Sequence, residues 1–200
     1  MASRPDLVPN RRAVIDRRAL ADALGEAMAA APDFNGRRAV LAATLKGALT
    51  DGRAELARRQ QAQPGKGLEL AGAHSFLIDQ LLRLLFDAVT TQLYPAPNRT
   101  AAERIALVAV GGYGRGQMAP YSDVDVVFLT PWKQTPWGEQ VIETMLYLLW
   151  DLGLKLGHAT RSLDDMVRMA KADMTIRTAL LESRFVWGDQ ALYEEGQARF

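Results

Sequence analysis

Asp123 and Asp125 stand two residues apart at the head of an apolar run, DVDVVFL, that reads as a strand over Asp123–Leu129. Residues i and i+2 of a strand point to the same side, so both carboxylates face one site. Like charges that close repel unless a cation offsets them. Mg²⁺, which prefers hard oxygen ligands and takes one or two carboxylates plus substrate phosphates, suits such a pair, and Mn²⁺ accepts the same donors. Alone, the pair has a plainer explanation: one aspartate caps a turn and the other is solvated. The residues upstream shift the balance. Gly111 and Gly112 follow another short apolar run, IALVAV over Ile105–Val110. Glycine allows backbone N–H groups to approach a ligand closely, and amides at such a turn cradle anions. Arg115 adds a planar, permanently charged donor suited to phosphate oxygens, and Ser122 adds a hydroxyl beside the first aspartate. A phosphate cradle facing a metal pair, each joined to a buried strand, predicts nucleotide chemistry.

The elements that must hold these groups follow from pattern. Ile105–Val110 is branched, apolar and bounded by glycine, as a buried strand should be. Gly111–Tyr121 reads as a glycine-rich turn and Pro131–Gly138 as a loop. Beyond it Ile142, Met145, Leu146 and Leu149 recur at helical spacing, and Gly153 ends that helix. Leu154–Thr160 reads as a further strand, and Ser162 with Asp165 resembles a capping box. Helical texture is expected from there to Phe200.

The N-terminal half is rich in helix-forming Ala, Leu, Arg and Glu. Pro32–Gly36 reads as a turn, Arg37–Gln61 as a long helix weakened at Asp51-Gly52, and Gln63–Gly67 as a breaker. Ser75 is expected to cap the next helix. Asp79, Arg83 and Asp87 then form one polar stripe, with Leu81, Leu82, Leu85 and Val89 on the buried side. Tyr94–Arg99 reads as a linker. The expected organisation is a helical or flexible segment (1–36), a helical region (37–93), a catalytic core (94–165) and the start of a following helical region (166–200), the chain being one piece of a longer protein.

Composition excludes several classes. With 24 basic and 23 acidic side chains the net charge is +1. A nucleic-acid partner, which needs phosphate neutralisation, is therefore disfavoured. No cysteine is present, which removes disulfides, thiolate metal sites and cysteine nucleophiles. No secretory signal is evident near the N-terminus. The stretch Phe76–Val89 is too short and too charged to span a bilayer, so a cytoplasmic protein with no membrane partner is expected. Neither a Walker P-loop nor a G-x-G-x-x-G dinucleotide motif is present.

The string VAVGGYGRGQMAPYSDVDVVFL resembles the DNA polymerase β-like nucleotidyltransferase superfamily, and within it the bifunctional PII uridylyltransferase/uridylyl-removing family. The likeness extends to GRAELARRQQ, to the helix around Ser75–Asp87, and to WDLGLKLGHATRS and TALLESRFVWGD, roughly residues 37–200. It implies an α/β (α+β) fold: a small mixed sheet flanked by helices, with an N-terminal helical region. It implies transfer of UMP from UTP to a tyrosine of a PII signal protein. By resemblance Gly111, Gly112, Arg115 and Ser122 bind the nucleotide, and Asp123 and Asp125 are catalytic and hold Mg²⁺ or Mn²⁺. Gln117 stands where the family often has glutamate. Many superfamily members use a third carboxylate on a later strand. Leu154–Thr160 has none, which leaves Asp151 as a candidate, with His158 and Arg161 near enough in sequence to line the site. The family's hydrolase and glutamine-sensing parts have no counterpart in this sequence, whose two histidines are His74 and His158. Protein adenylyltransferases of the glutamine synthetase type share the plan but usually carry lysine and leucine where Tyr113 and Gly114 stand. A catalytically idle nucleotide-binding module is the other alternative.

Overall fold

A computed structural model describes residues 8–96, 100–132 and 134–199. The polar N-terminal residues before Val8, the linker residues Pro97–Arg99, Lys133 in the expected loop, and Phe200 lie outside the described residues.

Four helices come first: α1 (Arg11–Val14), α2 (Arg17–Ala30), α3 (Phe34–Ala62) and α4 (Gly67–Ala88). Asp16 and Asp33 cap α2 and α3, each side chain accepting from a backbone N–H three residues on, which satisfies donors a helix start leaves orphaned. The helix expected from Arg37 thus begins at Phe34, because Asp33 supplies the cap within the expected turn. Asp51-Gly52 does not break α3. A Cβ on Gly52 would lie 2.5 Å from Leu77 Cδ1, so glycine lets α3 and α4 approach. Ser75 is no cap. It is buried inside α4, its hydroxyl donating to the Ala71 carbonyl at 3.1 Å, and the helix starts eight residues earlier without a side-chain cap.

The sheet follows: β1 (Ala106–Ala109), the short helical turn α5 (Gly111–Gly114), β2 (Val124–Thr130), α6 (Pro136–Asp151), β3 (Leu156–Ser162), α7 (Leu163–Ala172), α8 (Met174–Leu181), β4 (Arg184–Gly188) and α9 (Gln190–Arg199). Strand order is β3-β2-β1-β4. β1 runs antiparallel to β2 and β4, and β2 runs parallel to β3. The helical texture expected after residue 165 is interrupted by β4, an edge strand of the same sheet.

One face of the sheet packs on the N-terminal helices and α6, through Leu107, Ala109, Val124, Val126, Phe128 and Val186. The other packs on α7–α9, through Ala106, Val108 and Leu129. Alternation along β2 therefore sends Val124, Val126 and Phe128 to the first face and Asp125 and Val127 to the second. No helix among the described residues is long and apolar enough to cross a membrane.

Candidate active site

The Val110 N–H donates to the Asp125 carbonyl at 3.0 Å, extending the β1–β2 pairing to the lip of the glycine turn. The chain then turns sharply, with Gly111 at φ +60° and Gly116 at φ +70°, values that suit glycine. Bonds from Gly114 to Val110, Arg115 to Gly111, Gly116 to Tyr113 and Gln117 to Gly112 close the turn. The N–H groups of Gly111, Gly112 and Tyr113 take no part in these bonds.

Asp125 sits across from this turn. A Cβ on Gly111 would lie 3.1 Å from Asp125 Oδ2, and one on Gly157 only 2.1 Å from Asp125 Oδ1. Gly157 is the β3 residue paired with Asp125. The carboxylate thus occupies a slot between two glycines, either of which would crowd it as alanine. Its carboxyl is raised above the usual carboxylate range, first by burial and second by the negative charge of Asp123. Asp123 is exposed, just before β2. Among the described residues neither aspartate side chain has a hydrogen bond or ion pair. A half-buried carboxylate with a second acid beside it and no protein cation suits a divalent ion, since burying like charges uncompensated is unfavourable.

The other predicted residues are distributed as follows. Gly111 and Gly112 form the first turn of α5. Ser122 is half-buried and precedes Asp123, its N–H donating to the Ala119 carbonyl at 3.1 Å. Arg115 folds over Gly112, where a Cβ would meet Arg115 Nη2 at 3.8 Å, while its Nη1 pairs with Glu182 at 2.5 Å. A phosphate reaching Arg115 must compete with that carboxylate.

Asp151, the candidate third carboxylate, ends α6 at the surface. Among the described residues no cluster of three or more His, Asp or Glu side chains could hold a metal. On the side of β3 that matches Asp125, the register brings Gly157, Ala159 and Arg161, not an acid. His158 faces the other way, packing edge-on against Trp150 with centroids 5.8 Å apart. His158 and Arg161 line a cleft of about 450 Å³ between α6 and β3 that includes neither aspartate.

Sequence reasoning missed the support beneath the turn. Tyr113 is the one aromatic residue in GGYGRG, and it points away from the site into the core. Its hydroxyl donates to Asp79 Oδ1 at 2.7 Å, and Asp79 accepts from both Nη atoms of Arg184, at 2.7 and 3.0 Å. The stripe Asp79–Arg83–Asp87 is not a solvent face: Arg83 Nε donates to the Val186 carbonyl at 3.0 Å and Asp87 accepts from Trp187 Nε1 at 2.6 Å. The signal available was a large aromatic among glycines, together with three polar residues on an otherwise buried helix.

Residues 98–185 match a family described as the nucleotidyltransferase domain. That span runs from just before β1 into β4 and contains both aspartates and the glycine turn. The chain carries a nucleotidyltransferase domain. It is 58% identical over 193 residues to the bifunctional uridylyltransferase/uridylyl-removing enzyme of Novosphingobium aromaticivorans, covering 96% of this chain and 21% of that protein. Identity to the enzyme of the same description from Erythrobacter litoralis is 56%, with the same coverage. With that from Rhodospirillum rubrum it is 55% over 189 residues, 94% of this chain and 20% of the relative. The chain spans about a fifth of the length of the curated relatives it matches.

Proposed function

We propose that this domain transfers UMP from UTP to a tyrosine hydroxyl of a PII-type signal protein, releasing pyrophosphate. The observation that supports it most directly is the carboxylate pair without a protein partner, facing a glycine turn whose leading amides are free of the turn's own bonds. Asp123 and Asp125 hold a divalent ion, Mg²⁺ or Mn²⁺, which when bound supplies positive charge against the phosphate oxygens and against the mutual repulsion of the two acids. The Gly111 and Gly112 amides and Ser122 bind the β- and γ-phosphates, and Arg115 exchanges Glu182 for a phosphate oxygen. The acceptor hydroxyl attacks the α-phosphorus in line. A carboxylate oxygen of the pair takes its proton, and the bond to the pyrophosphate oxygen breaks. Arg115 and the glycine amides stabilise the charge on the departing pyrophosphate.

The test is incubation of the chain with a PII-type protein, labelled UTP or ATP, and Mg²⁺ or Mn²⁺. The expected result is UTP-dependent label on a tyrosine with stoichiometric pyrophosphate, abolished in Asp123→Asn. Preference for ATP would transfer the reading to protein adenylylation. Undiminished turnover in Asp123→Asn would remove the carboxylates from the chemistry altogether.

A further inference from the structure

Tyr113 is pinned at both ends by groups that come from outside the turn. Its hydroxyl bonds to Asp79 on α4. Its carbonyl accepts from Arg184 Nη2 at 3.3 Å, and the Arg184 guanidinium lies over its ring, 5.3 Å from the centroid. Burial, followed by the charge of Asp79, pushes the Tyr113 phenol well above its usual range, so it remains a donor. The same carbonyl accepts from the Gly116 N–H at 3.0 Å. Because peptide units are rigid planes, fixing the Tyr113 carbonyl fixes the Tyr113–Gly114 peptide, and holding the side chain anchors the Tyr113 Cα, on which the Gly112–Tyr113 peptide ends.

The link between α8 and β4 grips the turn a second time. The Glu182 carbonyl would lie 2.6 Å from a Cβ on Gly114, and the Glu182 side chain holds Arg115. Stability alone gives little reason for a charged pair here. Removing Asp79 and Arg184 from water is costly, and well-packed apolar residues often serve as well. Arg184 Nε, moreover, is buried with no partner among the described residues. What the pair supplies that an apolar contact lacks is direction: two Nη bonds to one carboxylate and a third bond to a turn carbonyl.

We infer that Arg184 is a positioning residue for the phosphate cradle, acting with Asp79 through Tyr113 to set the glycine amides opposite Asp125. The inference rests on the nucleotidyltransferase reading. It predicts that loosening this clamp weakens the grip on the triphosphate specifically, leaving the grip on the acceptor protein unchanged.

The experiment compares wild type, Tyr113→Phe, Arg184→Lys and Arg184→Gln. It measures UTP Kd by calorimetry, KM for UTP and for the acceptor, kcat, and thermal unfolding. Tyr113→Phe keeps the ring and leaves Asp79 bound to Arg184, so the fold is retained while one pin is removed. Its UTP Kd and KM should rise roughly tenfold, about 1.4 kcal/mol, with acceptor KM unchanged. Arg184→Lys, which keeps the charge but not the fork, should fall between wild type and Arg184→Gln. A purely structural role predicts the opposite split: kcat falling with the folded fraction and UTP Kd and KM at wild-type values. That result overturns the inference while leaving the transferase reading intact. A wild-type chain that neither binds UTP nor releases pyrophosphate overturns both.

Discussion

Two acidic sites flank the glycine turn, and they are built in opposite ways. Asp79, beneath it, is 7% exposed and fully committed, to the Tyr113 hydroxyl and to two Arg184 nitrogens. Asp125, across from it, is half-buried between Gly111 and Gly157 with only another acid for a charged neighbour. A buried charge that is paired and hydrogen-bonded holds structure together, whereas one left unpaired stores unfavourable energy in the fold. The first site is spent on rigidity. On the proposed reading the second is kept available for a cation and a phosphate, and the turn between them carries the first site's rigidity to it.

The sharpest way to break this contrast is to neutralise each acid in turn. Asp125→Asn should lower metal-dependent transfer by roughly a thousandfold, consistent with the several kcal/mol that bound metal contributes to transition-state charge. Its melting temperature should stay level or rise. The sign follows from the raised carboxyl: the folded state disfavours the charged form, so removing the charge relieves the fold at neutral pH. Paired activity and melting measurements check it, and a large loss of stability would show that Asp125 is structural. Asp79→Asn should act first on stability. It leaves Arg184 without its counter-charge in the core, and breaking such a pair costs about 3–5 kcal/mol. Denaturant unfolding reads that loss, and a variant as stable as wild type would dissolve the contrast.

A third change tests the slot itself. Gly157→Ala places a methyl group where Asp125 Oδ1 lies, 2.1 Å away, so the carboxylate must swing aside. Strain of about 1–3 kcal/mol is expected, with transfer falling about tenfold or more because the displaced carboxylate no longer holds Oδ2 against the turn. Combining it with Asp125→Asn provides the control: the added methyl should cost little further activity once the carboxylate has gone.

What was legible in the sequence was local. Asp123, Asp125, Gly111 and Gly112 declare themselves because strand periodicity and turn chemistry act over a few residues. β1, the turn and β2 form one contiguous hairpin-like unit. What was not legible depends on contacts made across the chain. RFVWG lies between helical segments and becomes β4 only by pairing with β1. Asp79 and Arg184 are 105 residues apart, so a stripe on α4 could not declare its partner. Gly157 looks like any small strand residue until the β2–β3 register sets it against Asp125. Ser75 misled for a different reason: a residue suited to capping was in fact bonding back to Ala71 inside a longer helix.

The smallest effect expected is a pH dependence on the far side of the same helix. His74 lies on α4, half-buried, and its imidazole is lowered below the ordinary histidine range, first by desolvation and then by the positive charge of Arg53. The folded state therefore binds this proton more weakly than the unfolded chain. The sign follows by linkage: the contribution is fully present above the unfolded pKa of roughly 6.5 and is lost as pH falls from there through the folded value. Melting curves at pH 7.5 and 5.5 should show a smaller acid-induced drop in His74→Gln than in wild type. The difference should stay below the roughly 2–4 °C that 1 kcal/mol represents for a chain of this size. Nucleotide affinity should be unaffected, because His74 does not contact Tyr113 or its clamp. An equal drop in both proteins would show that α4 tolerates a charged imidazole at this position, and would confine the helix's electrostatic sensitivity to the seam with β4.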